Sequence, residues 1–205
     1  MKPLAVSQRV DVVTARGERR DALDQRLVAF LRRAGFQPFP VPNGLANCQF
    51  DALSEWLNAI TPAGIVLSGG NDIGDCPERD DTERTLCLYA ERRRLPVLGI
   101  CRGMQFLGVL RGGTLVPVEG HVATRHRVSG PYSGEVNSYH NLGFVTLPEE
   151  FHMLARADDG LIEAIRHKEM PWEGWMWHPE REPEFRQEDL ARIQALLNQQ
   201  DVRQS

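Results

Sequence analysis

The chain has 205 residues, which at roughly 150 per domain predicts one or at most two domains, and its 41% apolar and 25% charged residues argue against disorder, collagen-like sequence and a coiled coil. A formal net charge of −4 gives no basic excess for nucleic acid or an anionic membrane, so neither is expected as a partner and an anionic ligand must find a local basic patch. No stretch approaches the ~20 apolar residues of a membrane span, and Met1 to Arg9 breaks off too early for a signal peptide, so a cytoplasmic protein with a single domain over residues 1–205 is expected.

The first apolar run, Leu4 to Ser7, precedes a polar stretch, after which Asp21 is the candidate cap of a helix carrying Leu23, Leu27, Phe30, Leu31 and Ala34, with Gly35 as its stop. Gln37 to Pro42 reads as a proline-flanked edge strand, and Leu53, Trp56, Leu57 and Ile60 recur at helical spacing before Pro62 and Gly64. Gly64 to Ser68 is a buried-strand candidate ending in Gly69-Gly70. Asp80 to Arg94 is a charged helix with Leu86, Tyr89 and Ala90 toward a core, and Pro96 to Ile100 is the next strand. Met104, Phe106, Leu107 and Leu110 suggest a short helix ended by Gly112-Gly113, followed by strand-like Thr114 to Val118. Glu119 to Gly143 shows little periodicity and reads as a long functional loop with a short strand around Val136. Strands are expected at Met153 to Ala157, Leu161 to Arg166 and Trp172 to Trp177, then an amphipathic helix with Phe185, Leu190, Ile193, Leu196 and Leu197 before a polar tail. This alternation predicts an α/β fold, a doubly wound and mostly parallel central sheet flanked by helices.

Cys48, Cys76, Cys87 and Cys101 are irregularly spaced with no C-x-x-C, which predicts free thiols. Gly99-Ile100-Cys101-Arg102-Gly103 sets one of them between glycines at a predicted strand-to-helix junction, the pattern of a nucleophile elbow. There the helix N-terminus favours the thiolate. A buried, inert cysteine beside a tight turn fits the same pentapeptide. Trp177-His178-Pro179-Glu180 brings an imidazole and a carboxylate close enough for one to orient the other, although such pairs also occur on surfaces. In Leu67-Ser68-Gly69-Gly70-Asn71-Asp72 the glycines either expose backbone N–H groups to an oxyanion or form a flexible loop. The other three cysteines lack elbow context and read as structural, and Trp172, Trp175 and Trp177 as core packing rather than pocket lining.

Taken together, these residues resemble the class I, triad-type glutamine amidotransferases, nearest their γ-glutamyl hydrolase branch. Four motifs in the family's order carry the likeness over more than half the chain: Leu67 to Gly70, Gly99 to Gln105, Val136-Asn137-Ser138-Tyr139-His140, and Trp177 to Glu180. The resemblance implies a flavodoxin-like three-layer sandwich and a Cys101-His178-Glu180 triad. Cys101 would attack a γ-glutamyl carbonyl, His178 would carry protons, Glu180 would orient His178, and a thioester would form and be hydrolysed. It maps the oxyanion-binding N–H groups to Gly70 and Arg102. It also implies that Gln105 and the Asn137-Ser138 region, with Gly69, Tyr139 and His140, contact the glutamyl moiety; Gln105 can equally be read as an ordinary helix residue.

For the leaving group, arginine forks suit phosphate or carboxylate, and Arg9, Arg19, Arg20, Arg125 and His126 lie in basic clusters. A solvated charged face fits as well, since Glu18, Asp21 and Asp24 neutralise much of the first cluster. Ser7 to Val10 and Glu18 to Gln25 also resemble variant hydrolases of surface-polysaccharide gene clusters, which implies an anionic conjugate such as γ-glutamyl-CDP-amidate as substrate. The alternatives are γ-glutamyl-γ-aminobutyrate as substrate, a glutaminase subunit feeding ammonia to a synthase partner, and a catalytically silent binding protein; a homo-oligomer is left open. There is no P-loop or G-x-G-x-x-G, and His121, His126 and His140 lack zinc-ligand spacing, so no cofactor and no metal are expected.

Overall fold

Side chains alternate across a strand, so a strand apolar at every position feeds two cores at once. In the computed structural model, which describes residues 1–46 and 51–198, the inner strands do this. The first half contains β1 (Lys2–Val6), β2 (Arg9–Val13), β3 (Glu18–Ala22), α1 (Gln25–Arg33), β4 (Phe36–Pro40), α2 (Ala52–Ile60), β5 (Gly64–Leu67), α3 (Pro77–Arg93), β6 (Val97–Ile100) and α4 (Arg102–Leu110). The second half contains β7 (Val116–Pro117), β8 (Val122–Ser129), β9 (Gly134–Tyr139), β10 (Leu142–Gly143), β11 (Phe151–Ala157), β12 (Ile162–His167), β13 (Trp172–Trp175) and α5 (Gln187–Leu197).

Nine strands form one sheet in the order β4-β1-β5-β6-β13-β12-β11-β8-β9. The first five run parallel, and the strands beyond β13 are added antiparallel. Leu4, Val66 and Leu98 point into one core with Leu27, Phe30 and Leu31 of α1 and Ile193 and Leu196 of α5. Ala5, Ile65 and Val97 point into the other, with Leu53 and Leu57 of α2, Leu86 and Ala90 of α3 and Leu107 of α4. Each fully buried Leu or Ile contributes about 1.5–3 kcal/mol, and the result is helices on both sheet faces.

Several boundaries differ from the sequence reading. The polar stretch after β1 is a β2–β3 hairpin turned at Gly17, whose φ of +63° suits glycine. The cap of α1 is Asp24, which accepts from the Arg26 N–H, whereas Asp21 accepts from the backbone and side-chain amides of Asn43. Within residues 119–143, expected as a loop with a short strand around Val136, that strand is β9, and it pairs with β8 in a hairpin at the sheet edge, while β10 pairs with β7 apart from it. One buried residue in eight on β8 leaves little hydrophobic period to read. Cys76, Cys87 and Cys101 are free and the three tryptophans are buried, while Cys48 and the polar tail lie outside the described residues. Among the described residues no helix is long and apolar enough to cross a membrane.

Candidate active site

Cys101 sits between the end of β6 and the start of α4 with φ +51° and ψ −106°. A non-glycine residue held there costs of order 1–3 kcal/mol, so the surroundings must enforce it. They do: the Cys101 N–H donates to the Trp175 carbonyl on neighbouring β13 at 2.7 Å. A Cβ on Gly99 would lie 2.5 Å from the Gly103 backbone, and one on Gly103 would run into the Leu67 carbonyl. The flanking glycines are therefore required by the close approach of strand, elbow and helix. The Cys101 side chain is nearly buried at the helix N-terminus.

Strand β13 runs parallel to β6 with Trp175 opposite Ile100, so the chain beyond each strand emerges at the same end of the sheet. Three residues past Trp175, His178 hydrogen-bonds through Nδ1 to Glu180 Oε1 at 2.6 Å, both side chains being buried. Burial works to lower the His178 pKa, but hydrogen bonds to Cys101 and Glu180 and their negative charge outweigh it, and the imidazole is pushed up to about 9. Asn137 on β9 clamps the backbone of this histidine: Nδ2 donates to the His178 carbonyl at 2.8 Å and Oδ1 accepts its N–H at 2.9 Å. Arg26 on α1 donates to the Glu180 carbonyl at 2.7 Å. The imidazole rests on the loop after β5, where a Cβ on Gly69 would stand 2.7 Å from His178 Cε1.

That loop is held from behind by a residue that belongs to none of the four motifs. Arg79 on α3 is fully buried, and its guanidinium donates to the carbonyls of Ser68 at 2.7 Å, Gly69 at 3.1 Å and Gly70 at 2.6 Å. A trans peptide opposes N–H to C=O, so drawing the Gly69 carbonyl onto Arg79 turns the Gly70 N–H the other way. Gly70 itself has φ +93°. Glu83 closes the network, accepting from Arg79 Nε at 3.1 Å, Ser7 Oγ at 2.8 Å and Arg102 Nη1. Arg102 also donates to Asp80, so its side chain is engaged in the network and its backbone N–H begins α4. Arg79 and Glu83 have one trace in the sequence, their i,i+4 spacing, and Ser7 has only its place at the head of the Ser7 to Val10 stretch.

The other candidates fall in four places. Gln105 is buried and donates through Nε2 to the Leu142 carbonyl at 2.9 Å; Ser138 Oγ donates to the His121 carbonyl at 2.7 Å. Tyr139 packs edge-on against His178, ring centres 5.7 Å apart, under the Arg181 guanidinium. His126 and His140 instead approach Glu163 on β12. Arg19 is paired with Glu78, Arg20 with Glu18, and Arg125 with Glu135 and Glu182. A cavity of about 250 Å³ opens beside the imidazole, lined by Gly69, Gly70, His178, Glu180, Arg9 and Arg181. Of the three buried thiols, Cys87 is held far above its ordinary pKa, chiefly by burial, which leaves it unreactive.

A family model described as glutamine amidotransferase class-I matches residues 22–195. The chain is 33% identical over 124 residues to a γ-glutamyl-CDP-amidate hydrolase of Campylobacter jejuni, covering 58% of this chain and 62% of that one. It thus spans less than two thirds of that relative's length. To a γ-glutamyl-γ-aminobutyrate hydrolase of Escherichia coli O157:H7 it is 28% identical over 209 residues, 80% of this chain and 81% of the other. The fold matches the crystal structure of a Thermoplasma acidophilum protein, provisionally assigned to GMP synthase, with a TM-score of 0.73 at 24% identity over 100% of this chain and 98% of that one.

Proposed function

The chain belongs to the class I glutamine amidotransferases, and from that premise we propose that it hydrolyses a γ-glutamyl amide by nucleophilic catalysis at Cys101. The observation that carries this reading is a 2.6 Å His178–Glu180 hydrogen bond beside a cysteine held at φ +51°. Cys101 Sγ, its proton passed to His178, attacks the γ-carbonyl carbon, and the developing oxyanion accepts from the N–H groups of Gly70 and Arg102, each such donor worth on the order of 3 kcal/mol. The C–N bond breaks as His178 gives its proton to the departing nitrogen. Water then attacks the γ-glutamyl thioester while His178 takes a proton from it. The C–S bond breaks, glutamate leaves, His178 returns its proton to the sulfur, and Glu180 keeps the imidazole in register throughout.

For the leaving group we favour an anionic nucleotide conjugate of the γ-glutamyl-CDP-amidate type. Two observations support this: Arg9 and Arg181 line the cavity beside His178, and the chain is similar to the Campylobacter hydrolase. Hydrolysis of such a conjugate would yield glutamate and a nucleotide phosphoramidate, which suits a cytoplasmic step in surface-polysaccharide modification. The test is glutamate release by purified protein and its Cys101→Ser variant from L-glutamine, γ-glutamyl-γ-aminobutyrate and γ-glutamyl-CDP-amidate. Cys101-dependent release from the nucleotide conjugate with much the highest kcat/KM is expected. Preferential cleavage of γ-glutamyl-γ-aminobutyrate would overturn the substrate assignment. Activity on glutamine that appears only with a synthase present would replace free-standing hydrolysis by ammonia supply.

A further inference from the structure

Three histidines and a glutamate with no part in the proposed hydrolysis meet where β8, β9 and β12 come together. His121 precedes β8, His126 lies on it, His140 follows β9, and Glu163 lies on β12. Glu163 is 0% exposed, and neither of its carboxylate oxygens accepts a hydrogen bond from any described residue. What surrounds it is imidazole nitrogen: His140 Nε2 is 3.4 Å and His121 Nδ1 3.6 Å from Oε1, and His126 Nε2 is 3.4 Å from Oε2.

The partners of the other ring nitrogens fix which atoms carry hydrogen. His121 Nε2 lies 2.7 Å from Asp159 Oδ2, and His140 Nδ1 lies 3.0 Å from the Leu142 carbonyl. Both partners only accept, so the hydrogens sit on those nitrogens. In the neutral rings that leaves lone pairs on His121 Nδ1 and His140 Nε2, which face each other at 3.2 Å and face Glu163 as well. Three acceptors turned toward one point inside a protein require a cation there. Ligand atoms about 2.0–2.1 Å from a tetrahedral ion stand roughly 3.3–3.4 Å apart, which is the spacing these atoms have. One donor atom each from His121, His126 and Glu163 fits within 4.8 Å.

We propose that His121, His140 and Glu163 hold a divalent first-row cation in a structural site, with His126 on the second carboxylate oxygen and zinc the best match to imidazole and carboxylate donors. Asp159 on His121 and the Leu142 carbonyl on His140 are the outer contacts that orient such ligands. The ion would tie the β8–β9 hairpin to β12, and that hairpin carries Asn137, which clamps His178. Along the chain these histidines lack ligand spacing; the sheet supplies it in space.

The alternative cation is a proton on one imidazole, and the experiment separates the two. Tag-free Cys101→Ala protein, which removes the competing thiol, is stripped with chelator, loaded with Zn²⁺ and desalted; bound metal is then measured by mass spectrometry and thermal stability by calorimetry. One zinc per chain and a rise in Tm of about 4 °C or more are expected, with Co²⁺ in its place giving the visible spectrum of a four-coordinate ion. His126→Ala, which removes the imidazole on Glu163 Oε2, and Asp159→Asn on His121 should each weaken binding about 10–100-fold. A folded Cys101→Ala protein that retains no zinc and shows no Tm shift with Zn²⁺, Co²⁺ or Ni²⁺ would overturn the site. So would full retention in both His126→Ala and Asp159→Asn. Glutamate release is not the readout, so failure here leaves the hydrolase reading where it stood.

Discussion

Two carboxylates, Glu83 on α3 and Glu163 on β12, are fully buried, and they are satisfied in different ways. Glu83 accepts from a serine hydroxyl and two arginines of the chain itself. Glu163 has three imidazoles at 3.4–3.6 Å and no hydrogen bond from any described residue. A buried carboxylate costs several kcal/mol unless its charge and lone pairs are met. Arginine always brings its charge, whereas imidazole brings one only when a proton or a metal ion supplies it. The Glu83 carboxylate is thus met by the chain itself, and its cluster holds the Ser68-Gly69-Gly70 loop, while the Glu163 cluster needs a cation to hold the hairpin that carries Asn137.

Both clusters act from behind, and the largest expected effect tests that division. Cys101→Ala should lower glutamate release about 10⁴-fold or more while the protein still unfolds cooperatively in urea. More than about 1% residual turnover would put the chemistry on another group and undo the separation of support from catalysis. Next in size is the Glu83 cluster itself. Arg79→Met leaves Glu83 buried with one arginine fewer and frees three loop carbonyls, so a loss of about 3–5 kcal/mol in urea unfolding is expected, with a fall in kcat. A cost under about 1 kcal/mol would mean that the cluster is not self-sufficient in the way its hydrogen bonds indicate.

The same contrast governs how much the sequence disclosed. The elbow was legible because Gly99, Cys101 and Gly103 are neighbours in the chain and the geometry they allow is local. His178 and Glu180 were legible for the same reason, as were the strands of the parallel half, whose apolar runs serve two cores. Arg79 and Glu83 were hidden because they sit on α3, where the buried face mixes them with Thr82, Leu86 and Ala90, so that hydropathy loses its helical period. The histidine cluster was hidden because its members lie on strands joined only by the sheet, and β8 buries too few residues to read as a strand. Asn137 was legible as a motif residue, but its contacts, two to the His178 backbone and one to Glu182, required the hairpin.

A third test uses an imidazole whose partners are built in, unlike those around Glu163. With its folded pKa raised to about 9, His178 holds a proton in the native protein that the unfolded chain releases near its ordinary value of about 6.5. Its contribution to stability is therefore complete below about 6.5 and declines as pH rises toward 9, with a slope no steeper than ~1.4 kcal/mol per pH unit. The stability difference between wild type and His178→Gln, followed by urea unfolding across that window, should shrink with rising pH. Cys101→Ala should flatten the trend, because the thiol contributes to raising the pKa. A difference that stays constant or grows would show that the imidazole is not held charged by Cys101 and Glu180.

The smallest effect separates a basic group that is fully occupied from one that borders the cavity. Arg20 spends its fork on Glu18, in the exposed β2–β3 hairpin, as Arg19 does on Glu78. Arg9, in the same hairpin, pairs with Asp11, yet its stem packs over Gly70 and its side chain lines the cavity beside His178. If the leaving group is anionic, Arg9→Ala should raise KM for the nucleotide conjugate about 10-fold, the loss of one half-solvated charge-assisted contact, with kcat little changed. L-Glutamine, whose leaving group is ammonia, should be turned over as before, and Arg20→Ala should leave both substrates unaffected. Equal losses on the two substrates would make Arg9 a support for the Gly70 loop, a second prop beside Arg79. No loss on either would return the whole hairpin to a solvated charged face, and the selectivity for anions would have to come from Arg181 alone.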